Sequence, residues 1–215
     1  MYRKNINYVN KIYAIVLARK NSKRIKDKNI RLFKSKPLIQ WSFDEAIKSK
    51  GINKILCSTD DKRIINKYKN YSRKLEFPYL RPSHFAKSST TSESTILHLL
   101  NFYQKKNNYL PKSFILIQPT SPLRKKKHID NAILKFNENC PVSLISVVKI
   151  NNVYVKDKNF LSRSKNTFKF NGAIYITDTR AFMSSQKIYH DKKTIFMEMD
   201  EKSSLDIDYE YQLVT

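Results

Sequence analysis

A chain of 215 residues with 40% apolar and 12% aromatic side chains carries enough material for one buried α/β core, which excludes a disordered polymer. Its two cysteines, Cys57 and Cys140, stand far apart in sequence and exclude both a disulfide framework and a CxxC-type zinc site. The net charge is +24, from 42 basic and 18 acidic side chains, and the apolar runs fall far short of a membrane span. The first twelve residues are polar and basic with no apolar core of a signal peptide, so the expected location is the cytoplasm.

In chain order, the continuous apolar run Ile12–Ala18 predicts a strand buried on both faces. A polar basic loop follows over Arg19–Lys36, and Pro37 then opens a helix with Leu38, Ile39, Phe43, Ala46 and Ile47 on one stripe, ended by Gly51. Lys54–Ser58 reads as a second strand, with Asp60 or Asp61 capping a helix over Lys62–Tyr68. A helix over Ser92–Phe102 leads to a third buried strand, Phe114–Gln118; a loop over Pro119–Arg124 leads to a helix over His128–Phe136. Val142–Val148, Ala173–Thr177 and Thr194–Met199 complete the strands, while residues 150–169 read as irregular and polar. This alternation predicts a single α/β domain over residues 1–215, built on a mostly parallel sheet covered on both faces. In such sheets ligands sit at the carboxyl ends of the strands, which points to the loops after Ala18, Ser58 and Gln118.

Charge is segregated by sign. Residues 1–36 hold twelve Lys and Arg against the single acid Asp27, whereas residues 198–210 hold six acids against Lys202. A basic segment suits a polyphosphate or a nucleic acid, and a compact acidic cluster suits a hard cation. Four short segments carry candidate chemistry. In Leu17–Asn29, Arg19, Lys23, Arg24 and Lys28 can surround a triphosphate while Ser22 and backbone N–H groups point at its oxygens, with Asn21 supplying a left-handed turn in place of glycine. In Ile115–Arg124, two prolines stiffen a loop that presents Gln118, Thr120, Ser121 and Arg124. Asn171–Gly172 precedes a strand and can bring backbone close to a ligand. Asp206 and Asp208, two apart, project to one side of an extended segment and form half of a magnesium site. Taken singly, each has an ordinary structural reading: a lysine-rich turn, a strand exit, an Asn-Gly turn and a capped helix start.

Together, LARKNSKRIKDKN, STDD, RPSHFA, QPTSPLR, NGAIYI and SLDID occur in the order and approximate spacing of the acylneuraminate cytidylyltransferases, and the chain resembles that family from about Ile12 to Tyr211. The resemblance implies a doubly wound, Rossmann-like α/β fold with a small inserted arm, here residues 145–170, exchanged in a homodimer. It implies that CTP and a nine-carbon acidic sugar are joined with loss of pyrophosphate, with Mg2+ as cofactor. It assigns Arg19, Asn21, Ser22, Lys28, Asn29 and Arg81 to CTP. Gln118, Thr120, Ser121, Lys169 and Asn171 fall to the sugar, and Asp206 and Asp208 to the metal. Arg19, Lys28, Gln118 and the two aspartates would carry the chemistry. A transferase for ketodeoxyoctonate or a degenerate CTP-binding homologue is the nearest rival within the superfamily. A basic nucleic-acid-binding protein is the rival from another class; the charge favours it, but the aromatic residues do not concentrate in the basic loop as base stacking requires.

Overall fold

The structure is a computed structural model that describes residues 6–150, 153–157, 160–164 and 167–213, with backbone alone in the 153–164 stretch. In chain order its strands and helices are β1 (Asn7–Ala18), β2 (Leu32–Phe33), β3 (Lys36–Pro37), α1 (Leu38–Lys48), β4 (Lys54–Thr59), α2 (Lys62–Tyr68), β5 (Leu75–Glu76), α3 (Ser92–Asn107), β6 (Tyr109–Ile117), α4 (Lys126–Asn139), β7 (Ser143–Ile150), β8 (Val153–Asp157), β9 (Phe160–Ser164), β10 (Thr167–Asp178), α5 (Thr179–Ser185) and β11 (Thr194–Glu198). Seven strands form the main sheet in the order β11-β7-β10-β6-β1-β4-β5. All run parallel except β10, which pairs antiparallel with both β6 and β7. The predicted mostly parallel α/β sheet is therefore the fold observed.

The run in β1 is apolar throughout because its two faces meet different helices. Ala14, Val16 and Ala18 pack with Ile39, Phe43 and Ala46 of α1, Ile64 and Tyr68 of α2, and Ile129, Ala132 and Ile133 of α4. Tyr13 and Ile15 pack on the other side with Ile96, Leu99, Leu100 and Tyr103 of α3 and with Phe182 of α5. A strand sandwiched in this way has no solvent face on which to place a polar residue.

Several boundaries differ from expectation, each for a local reason. Pro37 immediately precedes α1 and ends β3; its φ of −52° and ψ of 139° lie outside the helix. Gly51 does not cap α1, which ends at Lys48 with Ser49 as its cap; a Cβ at Gly51 would stand 2.9 Å from Ile133 Cδ1, so close packing against α4 accounts for glycine there. Asp61, not Asp60, caps α2 by accepting the Arg63 N–H at 3.0 Å. The stretch read as irregular holds a two-stranded hairpin, β8–β9. Of residues 145–170, Ile145–Ile150 and Thr167–Phe170 belong to the main sheet, and the hairpin is the part that leaves it.

Parallel register brings the carboxyl ends of β1, β4 and β6 level, with Ala18 opposite Thr59 and Ile15 opposite Leu116. Because β10 runs the other way, its early residues reach the same edge, with Ile174 opposite Ile117. There β10 carries extra residues between Phe170 and Tyr175 relative to β7, a bulge that pushes its backbone off the sheet.

Candidate active site

A cavity of about 420 Å³ opens at that edge, within the ~300–1,000 Å³ range of small-molecule sites. Its walls come from four parts of the chain: Arg19, Ser22, Lys28 and Asn29 after β1; Arg81 and the 85–95 segment; Gln118, Pro119 and Thr120 after β6; and Asp206 with Asp208 near the far end of the sequence.

The basic loop is held at several points. Asn29 Nδ2 donates to the Arg19 carbonyl at 2.9 Å, and the Lys20 N–H donates to Asp60 Oδ1 at 2.7 Å. Asp27 and Asp61 share the Arg63 guanidinium, which holds both carboxyls below their usual range. Within Leu17–Asn29 the left-handed residue is Asp27, with φ 56°, and not Asn21. Asn21 is exposed and does not line the cavity.

Across the cavity, Lys28 Nζ donates to the Ile207 carbonyl at 2.8 Å and pairs with Asp208 Oδ1 at 2.9 Å, while Arg24 pairs with Asp208 Oδ2 at 2.7 Å. Arg31 reaches Glu210 at 2.9 Å. Partial burial pushes the Asp208 carboxyl up, but the bonds and charges of Lys28 and Arg24 outweigh it and hold the group below the usual carboxylate range. Asp206 behaves oppositely. Burial raises it, and the charge of Asp208 adds to the rise, against the opposing pull of the Thr120 hydroxyl, Lys28 and Lys169. Two carboxylates side by side thus sit in contrasting environments, one neutralised by cations and one not.

Arg81 is buried, with its N–H bonded to the Thr59 carbonyl at 2.8 Å; its Nε donates to Ser58 Oγ at 3.0 Å and its Nη2 to the Ser58 carbonyl. Burial lowers its guanidinium below the ordinary arginine value. It lines the cavity floor, as do Gln118 and Thr120.

Within the basic loop Asn21, Lys23 and Arg24 do not line the cavity, and beyond it neither do Ser121, Lys169, Asn171 and Arg124. Ser121 is fully buried. Lys169 is exposed on β10 and is felt at the site only through its charge. Asn171 is buried at 3% exposure inside a hydrogen-bond network. Arg124 is 1% exposed and is not presented by its loop; it donates to the Gln118 and Ala173 carbonyls at 3.1 and 2.9 Å and to Ser42 Oγ at 2.7 Å. Conversely, Lys87, Ser88, Thr90 and Thr91 form a rim that sequence reasoning missed. The signal was present in Ser88–Ser92, a run of small hydroxyl residues leading into α3 after RPSHFA and Lys87, but such a run reads equally as a helix cap; Thr91 does cap α3, accepting the Ser94 N–H at 3.1 Å.

A family model described as cytidylyltransferase matches residues 13–212. The chain belongs to the cytidylyltransferase family. Similar relatives include the CMP-N,N'-diacetyllegionaminic acid synthase of Legionella pneumophila, 28% identical with 92% of this chain and 91% of that protein covered. The N-acylneuraminate cytidylyltransferase of Escherichia coli O18:K1:H7 is 28% identical over 92% of this chain, which spans about half (49%) of that longer protein. The pseudaminic acid cytidylyltransferase of Campylobacter jejuni is 28% identical, with 86% and 85% covered. Among solved structures, a CMP-2-keto-3-deoxy-manno-octonic acid synthetase complexed with CTP superposes with a TM-score of 0.66 at 13% identity, covering 89% of this chain and 90% of that one. A 4-diphosphocytidyl-2C-methyl-D-erythritol synthase from Anaerococcus prevotii gives 0.71 at 15%, covering 95% of both. At those identities the likeness concerns the fold. This cytidylyltransferase thus places its cationic loop, its RP arginine and its twin aspartates around one cavity.

Proposed function

We propose that this cytidylyltransferase joins CMP, taken from CTP, to a nonulosonic acid, a nine-carbon acidic sugar, and releases pyrophosphate. The observation that carries the reading is the 2.9 Å contact between Lys28 and Asp208 across one cavity, in a chain whose relatives make CMP-linked sugars of this class. Arg19 and Lys28 hold the triphosphate, with Ser22 and Asn29 beside them, and Arg81 steadies the nucleoside end. Gln118 stands where the nucleotide meets the sugar. The anomeric hydroxyl of the sugar attacks the α-phosphorus as the bond to the β-phosphate oxygen breaks. No histidine or cysteine lines the cavity among the described residues, and the displacement needs none: positioning and charge neutralisation do the catalysis.

Asp206 and Asp208 fit a hard divalent cation such as Mg2+. Both line the cavity, and Asp206 has no cationic partner within ion-pair distance among the described residues. No third His, Cys, Asp or Glu among those residues joins them, so substrate phosphate oxygens and water would have to supply the remaining ligands. Bound there, the cation supplies electrostatic stabilisation of the transferring phosphoryl group. We further read the protein as a cytoplasmic homodimer. The exposed rings of Phe168, Phe170, Tyr189 and Phe196, with Phe170 at 5.7 Å from Tyr189 and 6.2 Å from Phe196, offer an apolar face beside the hairpin for a second copy. No helix among the described residues is long and apolar enough to cross a membrane.

The test is pyrophosphate release from CTP and MgCl2 with a panel of legionaminic, N-acetylneuraminic and pseudaminic acids and ketodeoxyoctonate. At least one nine-carbon acid should be consumed, and Asp206→Asn should cut turnover by a factor on the order of 10². Turnover with ketodeoxyoctonate alone, or single-stranded nucleic acid displacing CTP, would reject the reading.

A further inference from the structure

We propose that Asn171 is a positioning residue that fixes the Asp206 carboxylate through Ser204 and the β10 bulge. The inference rests on the cation-binding reading of Asp206 given above.

Asn171 lies behind the cavity wall, not in it. Its Oδ1 accepts from Ser146 Oγ at 2.6 Å and from the Ala173 N–H at 3.1 Å, while its Nδ2 donates to Ser204 Oγ at 2.9 Å. Ser204 Oγ in turn donates to the Asp200 carbonyl at 2.8 Å, and Ser146 Oγ accepts the Ile174 N–H at 2.8 Å. One carboxamide therefore ties β7, the bulge of β10 and the acidic segment together.

The tie ends at Asp206 by two routes. Ser204 stands two residues before it. Gly172, next to Asn171, has φ +74°, and a Cβ on it would stand 3.4 Å from Asp206 Oδ2, so bare bulge backbone forms the wall against which that carboxylate rests. The Asp206 carboxyl is half-buried with no cation within ion-pair distance among the described residues, and an unrestrained chain would swing it to water. The hydrogen-bonded frame keeps it turned inward. The effect of Asn171 on the reaction passes through the carboxylate it holds.

The test uses the full chain with saturating CTP and no sugar, and titrates Mn2+ by electron paramagnetic resonance for the wild type, Asn171→Ala, Ser204→Ala, the double variant and Asp206→Asn. Asn171→Ala and Ser204→Ala should each weaken Mn2+ binding by about tenfold, the scale for losing a partner that orients a metal ligand. Ser204→Ala, which breaks one of the two routes, should melt close to the wild type, and the double variant should be no weaker than Asn171→Ala alone, since that variant already breaks the Ser204 route. A general loss of stability would produce neither result. If either single variant binds Mn2+ like the wild type while Asp206→Asn does not, the proposal is overturned and the cation reading stands. If Asp206→Asn also binds like the wild type, both fall. Should Asn171→Ala fail to fold, Ser204→Ala decides alone.

Discussion

Replacing Arg124 by Met tests whether the loop carrying Gln118 is held by a buried cation. The guanidinium is 1% exposed and makes three hydrogen bonds, to the carbonyls of Gln118 and Ala173 and to Ser42 Oγ. Two opposed effects set the outcome. No carboxylate lies within ion-pair distance of it among the described residues, and burial lowers its guanidinium below the ordinary arginine value, so removing the charge relieves a desolvation cost of several kcal/mol. Against that, charge-assisted hydrogen bonds contribute about 1.5–3 kcal/mol each, and methionine removes the Arg124 donor from the Ala173 carbonyl, while the Gln118 carbonyl keeps the Ser42 hydroxyl and the Ser121 N–H. Three bonds outweigh one buried charge, and a net loss of about 2–4 kcal/mol is expected. For a chain of 215 residues this lowers Tm by roughly 5–15 °C. Calorimetric melting at neutral pH measures it. A Tm equal to or above that of the wild type would show that desolvation dominates and that Arg124 does not hold the β6 and β10 ends together.

Asp206→Asn should raise Tm at pH 7 in ligand-free protein while it lowers turnover. Burial raises the carboxyl in the folded state, so its ionised form costs stability above the unfolded-state value, and the advantage of asparagine should vanish as the pH falls and the wild type takes up its proton; a variant that melts with the wild type at every pH contradicts this. Gly172→Ala should cost about 1–2 kcal/mol, the penalty for a side chain in the left-handed region, read by urea unfolding. It should also weaken Mn2+ binding, because the new methyl group touches the Asp206 carboxylate.

Strong periodicity made most of the sheet legible. The Ile12–Ala18 run could be placed between two helix layers because nothing polar interrupts it, and Asp206 and Asp208, paired by their spacing, both line the cavity. What escaped depended on burial rather than on residue type. Arg124, Ser121 and Asn171 are polar residues in loop-like sequence, and only the fold shows that they lie underneath the site. The β8–β9 hairpin was hidden by its polar, lysine- and asparagine-rich flanks, which mask the pairing of two five-residue strands. In the basic loop, aspartate at position 27 takes the left-handed turn because Arg63 anchors its side chain there, a contact from a helix far along the chain.

The meeting of the chain's two oppositely charged segments owes less to charge than the sequence implies. Arg24, Asp208, Arg31 and Glu210 are substantially exposed, and pairs of that kind contribute about 0–1 kcal/mol each. Between the cations sits Ile25, and between the twin aspartates sits Ile207; both are fully buried, in one cluster with Phe33, Leu38 and Leu213. Burying each of these side chains is worth roughly 1.5–3 kcal/mol, so an apolar plug fixes the geometry and the charges above it are left weakly committed. The Ile207 N–H adds a 2.8 Å bond to the Thr120 carbonyl, which locks the acidic segment to the loop after β6. Because the frame does not rest on the exposed pairs, the exchange of Asp208 from its cationic partners to a metal ion that the proposed function requires would leave the apolar plug in place.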